Sequence, residues 1–431
     1  MKIKKFEVHG LHGSDEPLIL NFNDDLNILS GRNGAGKTTI LKLMWYLISG
    51  NFDKAVAEIN FKTAQLITDK YELTVYIDFD DKEHPFSSTL RLINPELLQL
   101  KGIEKDENLK NFFNKSSTTN MSWFFTQYID SSFFMPTFRM IEGGFTTEKY
   151  DIKHDVVKEF YLKLNNENEY NDIATSLNKL SKSLTKKEHQ FITSISAKEI
   201  DSFLVKKYAE IMKKVNMLQT DSVHLLSKKI SLMLSNKKNK LNAEDISNLT
   251  MLSKKIEELD VEVQGLNTPL NKIRTAVSNF MPLFNIEFDQ NIYFSHKRDF
   301  PADFGLDHEP LSLHPDHLES DDEDQYFDFE QFEFDETENE KSSNLTINNL
   351  SAGEKQFLTF VAYNIFHNDT IFFIDEPELS LHVDWQNRLF SLLKEQNPSN
   401  QFIISTHSPF IYSLFPDKEL IINVDKGCSE F

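Results

Sequence analysis

The sequence predicts an α/β fold in which the two ends of the chain build one lobe and a helical arm is inserted between them. Three observations carry that reading. Short strand-like runs crowd residues 2–93 and return after residue 343. A glycine-rich loop, GRNGAGKTT at Gly31 to Thr39, stands between an apolar run and a helical stretch. The long middle of the chain places its apolar residues at helical rather than alternating spacing. Length agrees, because 431 residues exceed the roughly 250–300 at which one hydrophobic core stops growing.

Taken in order, residues 1–94 read as the first half of the lobe. KIKKFEV, PLILNF and LNILS are strands, a helix runs from Lys37 to about Ser49, and INFKTAQL, YELTVYIDF and STLRL are strands again. Residues 95–284 form the mainly helical insertion. Ile200, Phe203, Leu204, Tyr208 and Ile211 recur at helical spacing and predict several amphipathic helices between about 153 and 281. No run sustains heptads, so a compact arm is expected rather than a long coiled coil. FFMPTFRMIEGG, Phe133 to Gly144, interrupts the helices with a strand and a turn. FNIEF and NIYFSH predict a β-hairpin returning to the lobe over 285–302. Residues 303–342 are an acidic insertion too charged to bury itself. Over 343–431, LTINNL, a helix from Ser351, TIFFI, a helix to about Glu395, QFIIS and ELIINV complete the lobe.

The net charge of −21 argues against a nucleic-acid binder on average, but the average hides an asymmetry. Asp303 to Glu340 holds sixteen acidic residues and no Lys or Arg. Lys179 to Lys240 holds fourteen lysines against five acids, which makes nucleic acid a candidate ligand of the arm. The single cysteine, Cys428, excludes an internal disulfide and a cysteine-rich zinc site. The amino terminus MKIKKFEVHG lacks an apolar signal core, and no run of about 18 apolar residues appears. A soluble, cytoplasmic protein with no membrane partner is expected.

Chemistry concentrates in three motifs. Gly31, Arg32, Asn33, Gly34, Ala35, Gly36, Lys37, Thr38 and Thr39 fit the P-loop spacing, with a strand ending at Ile28 to Ser30 before it and a helix opening at Lys37 after it. There backbone amides approach phosphates, Lys37 neutralises their β- and γ-oxygens, and the Thr38 hydroxyl is placed to ligate Mg2+. IFFIDEPE, Ile371 to Glu378, is a buried-strand run ending in Asp375 and Glu376, so one carboxylate at the strand tip faces a metal and the next stands beside it. LSAGEKQ, Leu350 to Gln356, is a Ser-x-Gly-Glu turn opening a helix. Ser351 and the first-turn amides, with Gly353 and Glu354, make an anion site at the positive end of the helix dipole, and the anion expected is a nucleotide phosphate.

In this order, and with His407 of IISTHSP behind them, these motifs resemble the ABC-type ATPase family within the AAA ATPases. The resemblance implies an ABC-type P-loop ATPase lobe that binds ATP and Mg2+ and works as a head-to-tail homodimer or higher even-numbered oligomer. Ser351, Gly353 and Glu354 would then complete the site built by Lys37, Thr38, Asp375, Glu376 and His407 of the opposite subunit. It also implies that Asp375 holds Mg2+ through water, that Glu376 orients and deprotonates the attacking water, and that His407 senses the γ-phosphate. Leu379 to His382, with Asp384, resembles the loop that crosses the dimer interface; a surface histidine at a helix N-terminus is the equal alternative. Two departures stand: Ala352 replaces the commoner glycine, and no glutamine loop is evident, Gln65 and Gln127 being candidates by elimination.

Leu350 lies 312 positions after Thr38, a separation that resembles the SMC-like and overcoming-lysogenization-defect classes; EPELSLH is the form of the acidic motif common in the latter. The likeness covers about the first 100 and last 150 residues. The second class continues into a Toprim nuclease domain, whereas 24 residues follow His407 here, so a separately encoded effector nuclease is the expectation. The chain is therefore similar to stand-alone ATPases of bacterial anti-phage defence systems, AriA of PARIS or PtuA of Septu, and FFMPTFRMIE resembles a Pro-Thr-x-Arg stretch of such ATPases. That likeness implies a slow, Mg-dependent ATPase switch answering a phage-encoded trigger. The alternative is an SMC-like DNA-binding ATPase of repair or recombination, acting through the lysines of 179–240.

Overall fold

Runs of apolar residues on a strand are stable only where both of its faces are covered. The computed structural model places LNILS, SFFM, IFFID and QFIIS together in one parallel sheet. The structure describes residues 1–77, 86–93, 125, 130–137, 179–192, 197–235, 243–289, 291–296 and 345–422. Along the chain it has β1 (Ile3–His9), β2 (Leu18–Asn21), β3 (Leu26–Ser30), α1 (Lys37–Ser49), α2 (Phe52–Glu58), β4 (Thr63–Thr68), β5 (Tyr71–Ile77) and β6 (Phe86–Leu92). Then come β7 (Ser132–Met135), β8 (His189–Phe191), α3 (Ala197–Ser235), α4 (Ala243–Phe280), β9 (Phe284–Phe288) and β10 (Ile292–His296). The last part holds β11 (Leu345–Thr346), α5 (Ala352–Phe366), β12 (Ile371–Asp375), α6 (Val383–Gln396), β13 (Gln401–Ser405), α7 (Pro409–Tyr412) and β14 (Glu419–Ile421).

The central sheet has the order β14-β3-β13-β12-β7-β8 with every pair parallel. Side-chain alternation sends Leu29, Phe134, Phe373 and Ile403 into one core, against Trp45 and other residues of α1. Ile28, Phe133, Phe372, Ile374, Phe402 and Ile404 go into a second core on the opposite face, against α4, α5 and α6. Both faces are thus sealed, and the carboxyl ends of β3, β12 and β13 are brought to one edge. An antiparallel sheet, β2-β1-β4-β5-β6, extends the first core, and a small sheet, β11-β10-β9, flanks the second.

Three features differ from the expectations. Residues 95–284 are not purely an insertion, because β7 and β8 fall in that range and form one side of the central sheet. The helix α2 follows a left-handed Gly50 and had no strong sequence signal of its own. Among the described residues the arm has two long helices of 39 and 38 residues packed on each other, a longer arrangement than the compact arm expected; the residues from 153 to 178 lie outside the described ones. Their apolar stripe exists at the base, where Ile200, Leu204, Ile211 and Val215 on α3 are buried with Leu270, Ile273, Ala276 and Val277 on α4. Further out, Met217, Val223, Met251, Ile256 and Val261 are exposed. A periodicity search therefore stops where burial stops, although good helix formers carry the helices onward.

The lysine excess also changes meaning in three dimensions. Helix α3 carries seven lysines against four acids, and its neighbour α4 carries four basic residues against six acids, so the helical pair is nearly neutral. The acidic insertion, Gln127 and Arg139 lie outside the described residues, as does the end of ELIINV beyond Ile422. Among the described residues no helix is long and apolar enough to cross a membrane.

Candidate functional site

The glycine-rich loop follows β3 directly and owes its shape to backbone conformations that other residues rarely adopt. Gly31 has φ 139°, and a Cβ there would overlap the carbonyl oxygen of Ile422, which follows β14. Gly34 and Gly36 sit at φ 82° and 88°, and Gly36 caps the start of α1. Left-handed turns of this kind aim successive amides into one concavity, the arrangement that suits phosphate oxygens. Arg32, Asn33 and Gly34 are exposed, whereas Ala35, Gly36 and Lys37 are buried and Thr38 and Thr39 half-buried. The Lys37 ammonium donates to the carbonyls of Gly31 at 3.0 Å and Arg32 at 3.1 Å, which holds it across the loop. Burial pulls its acidity toward the neutral form, and the carboxylates of Glu376, Asp375 and Glu378 oppose that pull.

At the end of β12, Asp375 is 1% exposed and accepts hydrogen bonds from three hydroxyls. Thr38 Oγ1 lies 2.9 Å from Oδ1 and 3.0 Å from Oδ2, Ser405 donates to Oδ1, and Thr137 donates to Oδ2. Parallel register creates this meeting, since Asp375 pairs with Ser405 and Ile374 with Met135, two residues before Thr137. A buried carboxylate beside hydroxyl oxygens is a hard, all-oxygen donor set, and the residues present fit Mg2+. Thr38 and Asp375 would hold the ion, as the sequence predicts.

Glu376 follows with φ 49°, a left-handed conformation unusual for glutamate, and its amide donates to the Ser405 carbonyl at 2.9 Å. Partial burial raises its proton affinity first, and the charges of Asp375 and Glu378 raise it further. His407 and Lys37 pull the other way. Such a carboxylate is a better proton acceptor than an ordinary glutamate. Lys37, Thr38, Asp375, Glu376 and His407 are therefore brought to one place by the ends of β3, β12 and β13.

The loop that carries His407 is tied to the acidic turn through Glu378, whose Oε1 accepts the His407 amide at 2.7 Å. Ser408 donates to Gln386 Oε1 at 2.6 Å, and Gln386 donates to the Leu381 carbonyl at 2.9 Å. Beside this loop, Ser351 and Glu354 form a capping box: the Glu354 amide donates to Ser351 Oγ at 3.3 Å and the Ser351 amide to Glu354 Oε2 at 2.7 Å. Ser351 is exposed at the N-terminus of α5. Gly353 is required by packing, because a Cβ there would overlap the carbonyl of Ser380; Ala352 is half-buried and meets no such demand. His382 caps α6, its Nδ1 accepting the Asp384 amide at 3.4 Å, and both residues are exposed.

Of the two glutamine candidates, Gln127 lies outside the described residues and Gln65 is not brought to the site. Gln65 lies on β4 and donates to Glu72 at 2.7 Å, in the antiparallel sheet. Sequence reasoning missed Thr137, Ser405, Glu378 and Gln386. The first two carry a signal only once β7 and β13 are laid beside β12 in register.

Comparison with known proteins adds the following. A family model described as AAA ATPase domain matches residues 1–412. Retron Vc95 probable ATPase of Vibrio cholerae serotype O1 biovar El Tor is 33% identical over 93 residues, 18% of this chain and 18% of that protein. Septu protein PtuA of Bacillus thuringiensis is 37% identical over 71 residues, 14% of this chain and 18% of that protein. This chain thus aligns with 18% of the length of either curated relative. Among solved structures, the Smc head domain of Pyrococcus furiosus, with an extended coiled coil and bound to the C-terminal domain of ScpA, aligns with TM-score 0.39 at 13% identity. That alignment covers 96% of this chain and 91% of that one. The SMC head domain from Thermotoga maritima aligns with TM-score 0.39 at 10% identity, covering 96% and 92%.

Proposed function

Because residues 1–412 carry the match, the chain belongs to the AAA ATPase domain family, and from that membership we propose that it is the ATP-driven switch subunit of a bacterial anti-phage defence complex. The observation that carries the reading is the convergence of Lys37, Thr38, Asp375 and Glu376 at the ends of β3 and β12. In this reading the loop from Gly31 to Thr39 cradles the phosphates of ATP, and Lys37 neutralises their charge. Thr38 and Asp375 hold Mg2+, which supplies further neutralisation there. Glu376 takes a proton from the attacking water, and His407 faces the γ-phosphate. Two chains dimerise head to tail, so that the exposed Ser351, with Gly353 and Glu354, completes the partner's site. Closure and reopening control a separately encoded nuclease.

The defence setting is supported by the names of two relatives, a retron ATPase and a Septu protein. The DNA-binding alternative rests on the lysines of 179–240; the seven of them on α3 are offset by its own four acids and the net acidity of α4, so the helical pair itself offers little charge to attract a duplex. Nucleotide binding and turnover test the core of the reading. Lys37→Ala is expected to abolish ATP binding. Glu376→Gln is expected to bind ATP, accumulate as the closed dimer and lose about 10²–10⁴-fold in hydrolysis. Hydrolysis by Glu376→Gln at the parent rate removes the proton-acceptor assignment.

A further inference from the structure

Thr137, the threonine of the Pro-Thr-x-Arg stretch, has been given no chemical role so far, yet its hydroxyl reaches the most buried carboxylate of the site. It follows Pro136, which comes after β7, the strand that pairs with β12 up to Met135 opposite Ile374. Pro136 fixes its own φ and leaves Thr137 one step beyond the level of Asp375. The β-branched side chain then has few rotamers to lose when it is held.

The hydroxyls around Asp375 have distinct geometries. Thr38 Oγ1 is almost equidistant from the two carboxylate oxygens, at 2.9 and 3.0 Å, and so stands near the bisector of the group. Ser405 and Thr137 each touch one oxygen only, Oδ1 and Oδ2 respectively. They grip the two flanks of the carboxylate and leave its bisector to Thr38. A carboxylate free to rotate about its terminal torsion would point at a cation only part of the time. One clamped on both flanks does so continuously, and outer partners of this kind are worth about 10–100-fold in metal affinity.

We propose that Thr137 is a positioning residue of the metal site: with Ser405 it fixes the plane of the Asp375 carboxylate, so that a divalent cation bound with nucleotide meets a preset ligand. The proposal rests on the nucleotide-metal reading above. Its test is the affinity for Mn2+, followed by electron paramagnetic resonance, in protein saturated with a non-hydrolysable ATP analogue. Thr137→Val keeps the shape and removes the donor, and is expected to weaken Mn2+ about 10–100-fold while affinity for the analogue in EDTA stays at the parent value. Thr137→Ser restores a hydroxyl and should recover most of the loss. Ser405→Ala, which releases the other flank, is expected to move Mn2+ affinity in the same direction. If Thr137→Val fails to fold, Thr137→Ala takes its place.

Parent-like Mn2+ affinity in Thr137→Val overturns the proposal, and so does failure of Thr137→Ser to rescue a defect. A parent protein that binds no Mn2+ with the analogue overturns the nucleotide-metal reading itself, and this proposal with it. The two failures are distinguishable, because the first leaves the parent's binding intact.

Discussion

Glu376 occupies a position where function and stability pull in opposite directions. Its carboxyl holds a proton to higher pH than an ordinary glutamate because it is partly buried, and because Asp375 and Glu378 stand beside it. A group whose folded pKa is raised stabilises the fold at pH below its ordinary value, and that contribution is lost as pH rises through the folded value. Above that window the charged form is a strain on the native state. Glu376→Gln should therefore raise the melting temperature at pH 8, and the gain should shrink toward zero as pH falls below the ordinary glutamate range. Calorimetry at the two pH values checks this, and an equal shift at both contradicts the electrostatic account. How far such residues can be read from sequence depends on how local their chemistry is. Lys37, Thr38, Asp375, Glu376 and His407 each lie in a short motif whose spacing already implies a strand end or a helix start. Thr137 and Ser405 meet Asp375 across 238 and 30 residues, through strand register, and register is not written in either segment alone.

At the scale of elements, α4 is built with a weak point. Gly265 and Pro269 stand four residues apart inside it, so the proline withholds the amide that the Gly265 carbonyl would otherwise accept. They lie between a base that is buried from Leu270 onward and an outer part where Val261 is 69% exposed. A Cβ at Gly265 would meet nothing within 4 Å, so Gly265→Ala adds a methyl group without a clash. That change should stabilise the protein by about 0.5–1 kcal/mol, read from the denaturant midpoint; an unchanged midpoint means that this part of α4 unfolds outside the main transition. The strands were legible because sealed parallel strands read as apolar runs and the antiparallel ones alternate. The helical character of the arm was legible too, but the length of its two helices was not, because their apolar stripe is buried mainly at the base and a periodic stripe records burial rather than helix length.

For the whole molecule, the head-to-tail dimer proposed above makes a prediction that no single chain can satisfy. Lys37→Ala removes a chain's own phosphate loop and leaves its serine turn intact, and Ser351→Arg does the reverse. Each alone should be inactive. Mixed together they should regain hydrolysis, because a dimer of one of each contains one complete site; the expected return is about a quarter of the parent rate for random pairing of equal amounts. No recovery removes the in-trans assignment of Ser351. The length of α3 adds a mechanical consequence. Its 39 residues span roughly 58 Å, so a rotation of about 5° at its buried base carries its far end about 5 Å. The base is packed against α5, the helix that Ser351 opens, and α5 is held to the acidic turn at Gly353. In the units of an instrument the pair is a pointer with its pivot on α5: displacements at the base too small to break one hydrogen bond become side-chain-sized at the tip.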